Sequence, residues 1–222
     1  MLTLWHCENA RSFRPLWAME ELGLEYELKM LPFPPRFLKK EYFEENQLGT
    51  IPLLVDGEIR MTESAAIPHY LAMTHGQGRL ALAADHPEYG AYLNWLHHGE
   101  STLTFPQTIW LRYAMFEPDE RKQPGVAEDY RQWFLARLRM LETTLADGRA
   151  YLAGGTFTMA DISVHYALQL AVMTGARDLL PPACVAWYDA LCERPAFRSA
   201  KARQAKEAIA QGTRVGMSFM EG

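Results

Sequence analysis

The stretch Thr50-Ile51-Pro52-Leu53-Leu54-Val55-Asp56-Gly57-Glu58-Ile59-Arg60-Met61-Thr62-Glu63-Ser64 restricts the fold of this chain more than any other part of it. It reads as a strand begun through an X-Pro bond, a two-residue Asp56-Gly57 hairpin turn, a second strand and a polar helix start. Proline has no N–H, so a strand beginning at Ile51-Pro52 leaves the backbone before it open to pair with a bound peptide. A cis bond there would fix that geometry. Thr62-Glu63-Ser64 then opens a helix whose leading N–H groups and Ser64 hydroxyl suit a carboxylate. Together these features describe a seat for a small peptide.

The surrounding pattern extends the hairpin into a small α/β domain. A strand is expected over residues 2–5 and a helix over Phe13 to Leu22, stopped by Gly23. A second strand follows over 25–30, then a proline-bearing break over 31–35 and a loop or short helix over 37–48. The order is βαβαββα, ending near His75. Gly76-Gln77-Gly78-Arg79 is a polar junction, and no strand pattern recurs beyond it. Helices are expected over 89–115, with a break at Pro106, and over 129–145, 159–175, 185–191 and 200–211. Two domains follow, 1–76 and an all-helical 85–222.

Composition narrows the function classes. The chain has 222 residues, 49% of them apolar, which is ample for a packed core. A net charge of −5 and no uninterrupted basic face argue against a nucleic-acid partner. Cys7, Cys184 and Cys192 form no CxxC pair or disulfide spacing, which points to a reducing compartment, read as the cytoplasm. No cleavable leader or membrane-spanning run is expected, so no membrane partner is.

Three separated pieces carry a family resemblance: Ile51-Pro52 with Glu63-Ser64, Gly155-Thr156-Phe157-Thr158-Met159-Ala160-Asp161, and Arg194-Pro195-Ala196-Phe197. In this order the chain resembles the glutathione transferase superfamily. The resemblance implies an N-terminal thioredoxin-like α/β domain that binds glutathione as co-substrate, an all-α C-terminal bundle, and a homodimer. It also implies that Ile51, held by its bond to Pro52, supplies backbone N–H and C=O to the cysteinyl part of glutathione. Glu63 and Ser64 would then hold its γ-glutamyl ammonium and carboxylate. The glycyl carboxylate calls for a cation from the loop before Pro52, with Arg36, Lys39 and Lys40 as candidates.

Glutathione chemistry needs a thiolate, and lowering a thiol pKa by two units requires about 2.7 kcal/mol of selective stabilisation. The serine-type branch that the chain resembles carries a hydroxyl just before the first helix. Here the matching string is Glu8-Asn9-Ala10-Arg11-Ser12-Phe13-Arg14, and Ala10 takes the hydroxyl's place. Asn9, Ser12 and the backbone N–H groups around Ala10 and Arg11 are the substitutes, at the positive end of the helix. Asn9 and Ser12 also read as plain helix caps, and Cys7 as either an exchange thiol or a buried one.

His97-His98 with Glu100 does not make a metal site, because adjacent helical residues point about 100° apart. His97, Ser101, Phe105, Trp110 and Tyr113 read instead as lining the cleft for an apolar electrophile, and Thr158-Asp161 as a structural capping box. Arg194-Pro195-Ala196-Phe197 reads as the end of a helix. Three functions fit the residues: conjugation of the glutathione thiolate to small electrophiles, glutathione-dependent peroxide or disulfide reduction, and non-catalytic binding.

Overall fold

The computed structural model describes residues 1–214. The chain divides into two units, one formed by Met1–Ala81 with the described residues from Leu191 onward, the other by Leu82–Ala190.

In the first unit, β1 (Leu2–His6), α1 (Phe13–Leu22) and β2 (Tyr26–Met30) form a parallel βαβ pair. A short α2 (Pro35–Leu38), a 3-10 turn at Lys40–Glu44, the strands β3 (Leu53–Asp56) and β4 (Ile59–Met61), and α3 (Ala66–Thr74) follow. The sheet order is β2-β1-β3-β4, with β3 antiparallel to both neighbours. Phe13, Leu16, Trp17 and Met19 of α1 are fully enclosed, so the apolar spacing of this helix reports real burial. The hairpin loop is Gly57-Glu58, one residue later than the Asp56-Gly57 turn read from sequence. Asp56 pairs with Ile59, and Gly57 takes φ +58 at the first loop position, which favours a residue without Cβ. Asp56 stays in the strand and accepts from Tyr70 Oη at 2.8 Å and His75 Nε2 at 2.6 Å.

The last described helix, α9 (Pro195–Ala210), packs on α1 and belongs to this first unit, which shortens the helical region expected over 85–222. The physical reason is a two-ended attachment. At its start Arg194 donates to both carboxylate oxygens of Glu21, at 2.6 and 2.8 Å, and Phe197 meets Trp17 and Phe13 edge-on. Arg194-Pro195 thus opens α9, with proline in its first turn, as well as following the preceding helix. Farther along α9, Gln204 bonds to His6 at the end of β1.

The second unit contains α4 (Tyr89–His97), α5 (Phe105–Leu111), α6 (Pro124–Leu145), α7 (Met159–Met173) and most of α8 (Pro182–Cys192). The break expected at Pro106 is a change of helix type. A π-helical segment at His98–Thr104 leads into α5, where Pro106 lies in the first turn, and another at Arg112–Phe116 leaves it. Side chains occupy carbonyls along the widened turn: Thr104 Oγ1 donates to Gly99 O at 2.7 Å, and Gln107 Nε2 to Leu103 O and Ala167 O. Gly99 permits the crossing with α7, since a Cβ there would stand 2.5 Å from the Ser163 backbone. The Ser163 hydroxyl donates to Leu96 O at 2.6 Å. The capping box at the start of α7 forms as expected: the Thr158 N–H donates to Asp161 Oδ2 at 2.8 Å and the Leu152 N–H to Asp161 Oδ1 at 2.9 Å.

Two outcomes follow from these buried groups. Asp161→Ala strands the N–H groups of Leu152 and Thr158 and should lower unfolding stability by about 2–4 kcal/mol in denaturant titration. His6 is fully enclosed, and burial lowers its imidazole to about 4 despite the opposing bond to Gln204. The unfolded chain therefore takes up a proton near 6.5 that the folded chain refuses until about 4. The contribution of neutral His6 is complete above 6.5 and is lost as pH falls to about 4, amounting to about 3 kcal/mol. Burial raises Asp161 to about 6, which acts in the opposite sense over part of that range, so the ring itself is the readout. The NMR shift of the His6 Cε1–H should stay flat from about pH 7.5 to about 5, and movement over that range would contradict a buried neutral ring.

Candidate glutathione site

Ile51 and Pro52 are joined by a cis peptide bond, as are Phe33 and Pro34. Ile51 precedes β3, and among the described residues its N–H and C=O have no hydrogen-bond partner. Just before it, the Thr50 carbonyl accepts from Tyr42 Oη at 2.9 Å and Asn46 Nδ2 at 2.8 Å. Sequence reading missed both residues, although Asn46 followed by Leu48-Gly49 carries a turn signal. The Asn46 side chain also accepts the Leu48 N–H at 3.1 Å, so one residue shapes the loop and holds the peptide ahead of Ile51.

Glu63 and Ser64 lie together ahead of α3, and the Glu63 carbonyl accepts the N–H groups of Ala66 and Ile67. Glu63 is exposed and Ser64 is buried. Arg14, fully enclosed on α1, donates from Nη1 to Ser64 Oγ at 3.0 Å. A buried guanidinium beside the hydroxyl makes this corner favourable for an anion. Arg14 also escaped the sequence reading. Its signal was a charged residue on the apolar face made by Phe13, Leu16 and Trp17, where an unpartnered charge would be costly.

The loop before α1 differs from expectation in how its side chains are used. Asn9 has φ +60, a conformation that asparagine tolerates better than most residues, and its Oδ1 accepts from Gln204 Nε2 at 2.7 Å and Lys201 Nζ at 2.8 Å. The Asn9 N–H donates to Gln204 Oε1 at 3.0 Å. Ser12 is fully buried at the start of α1 and makes no side-chain cap bond. Its oxygen lies 2.6 Å from His6 Nδ1 and accepts the Cys7 N–H at 3.3 Å. Because His6 Nε2 faces the acceptor Gln204 Oε1 at 2.9 Å, Nε2 carries the proton and Nδ1 accepts the Ser12 proton. The Ser12 hydroxyl therefore faces inward, with its one proton engaged, and does not serve as the substitute donor expected of it. The Asn9 carboxamide oxygen is likewise occupied by α9.

Ala10 packs in a cluster with Cys7, Leu31, Tyr42 and Leu53, against which Ile51 and Phe33 also lie, and its N–H closes a turn on the Cys7 carbonyl. Arg11 is half-buried. Cys7 is fully enclosed and burial pushes its thiol far up, which disfavours the thiolate that disulfide exchange requires. Lys39 is exposed, 3.7 Å from Glu41, a pairing too weak to fix it; Arg36 and Lys40 are exposed as well.

In the second unit, His97, Ser101 and Phe105 are exposed, while Trp110 and Tyr113 are half-buried. The Ser101 hydroxyl donates to His97 O at 2.8 Å, and both residues border a surface hollow with Leu93, Asn94, His98 and Thr102. That hollow mixes polar and apolar surface, and the aromatic residues Phe105, Trp110 and Tyr113 do not border it. His98 turns edge-on against Trp95 while His97 remains exposed, so the adjacent imidazoles diverge.

Residues 1–73 match the glutathione S-transferase N-terminal domain, and residues 124–190 its C-terminal domain. The chain is 30% identical to glutathione S-transferase GstB of Escherichia coli strain K12 over 205 residues, covering 89% of this chain and 96% of that one. It is 28% identical over 218 residues to glutathione S-transferase 3 of Schizosaccharomyces pombe, covering 90% and 86%. A glutathione transferase from Phanerochaete chrysosporium, crystallised in complex with oxidised glutathione, superposes with a TM-score of 0.78 at 29% identity, covering 92% of this chain and 96% of that one. None of the described helices is long and apolar enough to cross a membrane. With both domains matched in order and a relative at this identity along nearly its whole length, the chain belongs to the glutathione S-transferase family.

Proposed function

We propose that the protein is a glutathione transferase that binds glutathione in its first unit and joins the sulphur to an electrophilic, apolar small molecule. The observation that carries this reading is the Ile51 peptide: both of its hydrogen-bonding groups lack partners among the described residues, beside a cis Pro52. Such a peptide suits an added extended strand, here the cysteinyl residue of glutathione. In this reading Glu63 receives the γ-glutamyl ammonium and Ser64 its carboxylate, with the charge of Arg14 behind the hydroxyl. Lys39 is the cation assigned to the glycyl carboxylate. The same reading includes a homodimer and a reducing cytoplasmic setting, the latter supported by three free cysteines.

The sulphur is assigned to the loop Asn9–Arg11, where Ala10 stands in place of the hydroxyl of the serine-type branch. Peptide groups and the positive end of α1 contribute roughly 1–2 kcal/mol to a thiolate. That is less than the 2.7 kcal/mol or so that a shift of about two units needs. Turnover then leans on holding two reactants together, and activity is expected to be low with weak electrophiles.

Calorimetry with glutathione tests the reading directly, and absence of binding would sink it. Ser64→Ala should weaken binding by about tenfold or more, the loss expected when a charged group gives up one hydrogen bond. Ala10→Ser should raise the conjugation rate with an activated aryl halide by about tenfold, one hydrogen bond to a thiolate. An unchanged rate would show that residue 10 does not face the sulphur.

A further inference from the structure

Gln204, almost at the end of the described chain, bonds to the loop that precedes α1. Its Oε1 accepts from the Asn9 N–H at 3.0 Å and from His6 Nε2 at 2.9 Å, and its Nε2 donates to Asn9 Oδ1 at 2.7 Å. The side chain is buried, at 1% exposure. The amide orientation is fixed by chemistry, because a backbone N–H can only donate and so must face the oxygen. With Oε1 assigned, His6 carries its proton on Nε2, Ser12 gives its proton to His6 Nδ1, and the Cys7 N–H donates to Ser12 Oγ. One carboxamide thus sets the hydrogen bonds at both ends of the segment Cys7–Ser12.

The conformation held in this way is one the chain would not adopt unaided. Asn9 at φ +60 is a left-handed residue, uncommon outside glycine. Lys201 adds a second donor to the same Oδ1 at 2.8 Å. Releasing Asn9 lets its peptide return to the ordinary region and rotates the groups that follow, Ala10 and Arg11. The described hydrogen bonds of the Gln204 side chain go to His6 and Asn9 and not to Ile51, Glu63 or Ser64.

We infer that Gln204 is a positioning residue for thiol activation: it holds Asn9 in the left-handed conformation and thereby sets the path of the loop into α1, so that the positive end of that helix faces the glutathione sulphur. This inference rests on the glutathione reading given above. It separates two tasks within one site, since the peptide is held by β3 and the start of α3 and the sulphur is oriented from α9.

The test compares wild type with Gln204→Met, which keeps the volume and removes every bond, by glutathione calorimetry, by absorbance of the bound thiolate against pH, and by turnover with an activated aryl halide. In Gln204→Met, kcat should fall by about tenfold and the thiolate pKa should rise, with glutathione affinity changed by less than about threefold. Adding Asn9→Gly, which reaches positive φ without help, should restore part of kcat. If Gln204→Met fails to fold, Gln204→Glu keeps both acceptor bonds but sets an oxygen against Asn9 Oδ1, and it should also lose turnover selectively. Wild-type kcat and thiolate pKa in the variant that folds would overturn the inference. So would an equal loss of affinity and turnover that Asn9→Gly does not relieve. If wild type binds no glutathione, the proposed function fails and this inference fails with it; if wild type binds and the variants match it, only the inference fails.

Discussion

The Gln204 carboxamide joins residues almost 200 positions apart into one buried hydrogen-bonded chain, and the geometry of the first unit depends on it. Its oxygen accepts from Asn9 and His6, and its nitrogen donates to Asn9. Because every donor is accounted for, His6 remains neutral inside the protein, where burial lowers its imidazole to about 4. A satisfied buried network of this kind is rigid, since breaking one bond strands another polar group without water to replace it. The ion pair of Arg194 with Glu21 and the packing of Phe197 on Trp17 and Phe13 hold the near end of α9. The far end of α9 is therefore delivered to the loop in a defined register.

A second constraint is electrostatic. The protein carries a net charge of −5, which would by itself repel an anionic peptide. The positive charge of Arg14 is concentrated where it counters this, enclosed beside Ser64. Low surrounding polarity makes a buried charge act more strongly on a nearby anion than any exposed lysine would. In the proposed function the γ-glutamyl end would therefore be met by Arg14 of α1 and Ser64 ahead of α3, whereas the exposed cations Arg36, Lys39 and Lys40 have little to hold them in place.

How much of this could be read in the sequence depended on the range of each interaction. Helix α1 was legible to the residue, because apolar spacing and a terminal Gly23 report a local arrangement. The Ile51-Pro52 entry to β3 and the Thr158-Asp161 capping box were legible for the same reason, each being a pattern within a few residues, whereas α3 starts at Ala66, past the Thr62-Glu63-Ser64 start read from sequence. The hairpin turn was displaced by one residue because Asp56 is claimed by Tyr70 and His75, partners that no local rule includes. Ser12 looked like a cap or a donor, and its inward orientation follows from His6 and, through it, from Gln204. Docking of α9 on the first unit was invisible because its attachments pair residues from opposite ends of the chain. A helical pattern states which face is apolar and leaves open what that face meets.

Under the proposed function, the same long-range bonds limit how a bound thiol would be activated. With Ala10 offering only a methyl group and Ser12 giving its proton to His6, the described loop directs no side-chain hydroxyl toward a ligand thiol. What remains is peptide polarity and the field at the start of α1, which are fixed in direction and need no rearrangement as charge develops. Such groups stabilise a thiolate less than a hydroxyl donor at the same place, but they are not themselves titrated and their effect does not vanish with pH. A site of this design gains most from electrophiles that are already reactive and are limited by encounter and orientation. It gains least where the sulphur must supply the driving force. In the proposed function, Ala10 would then bear on which electrophiles react, through the loop that α9 holds.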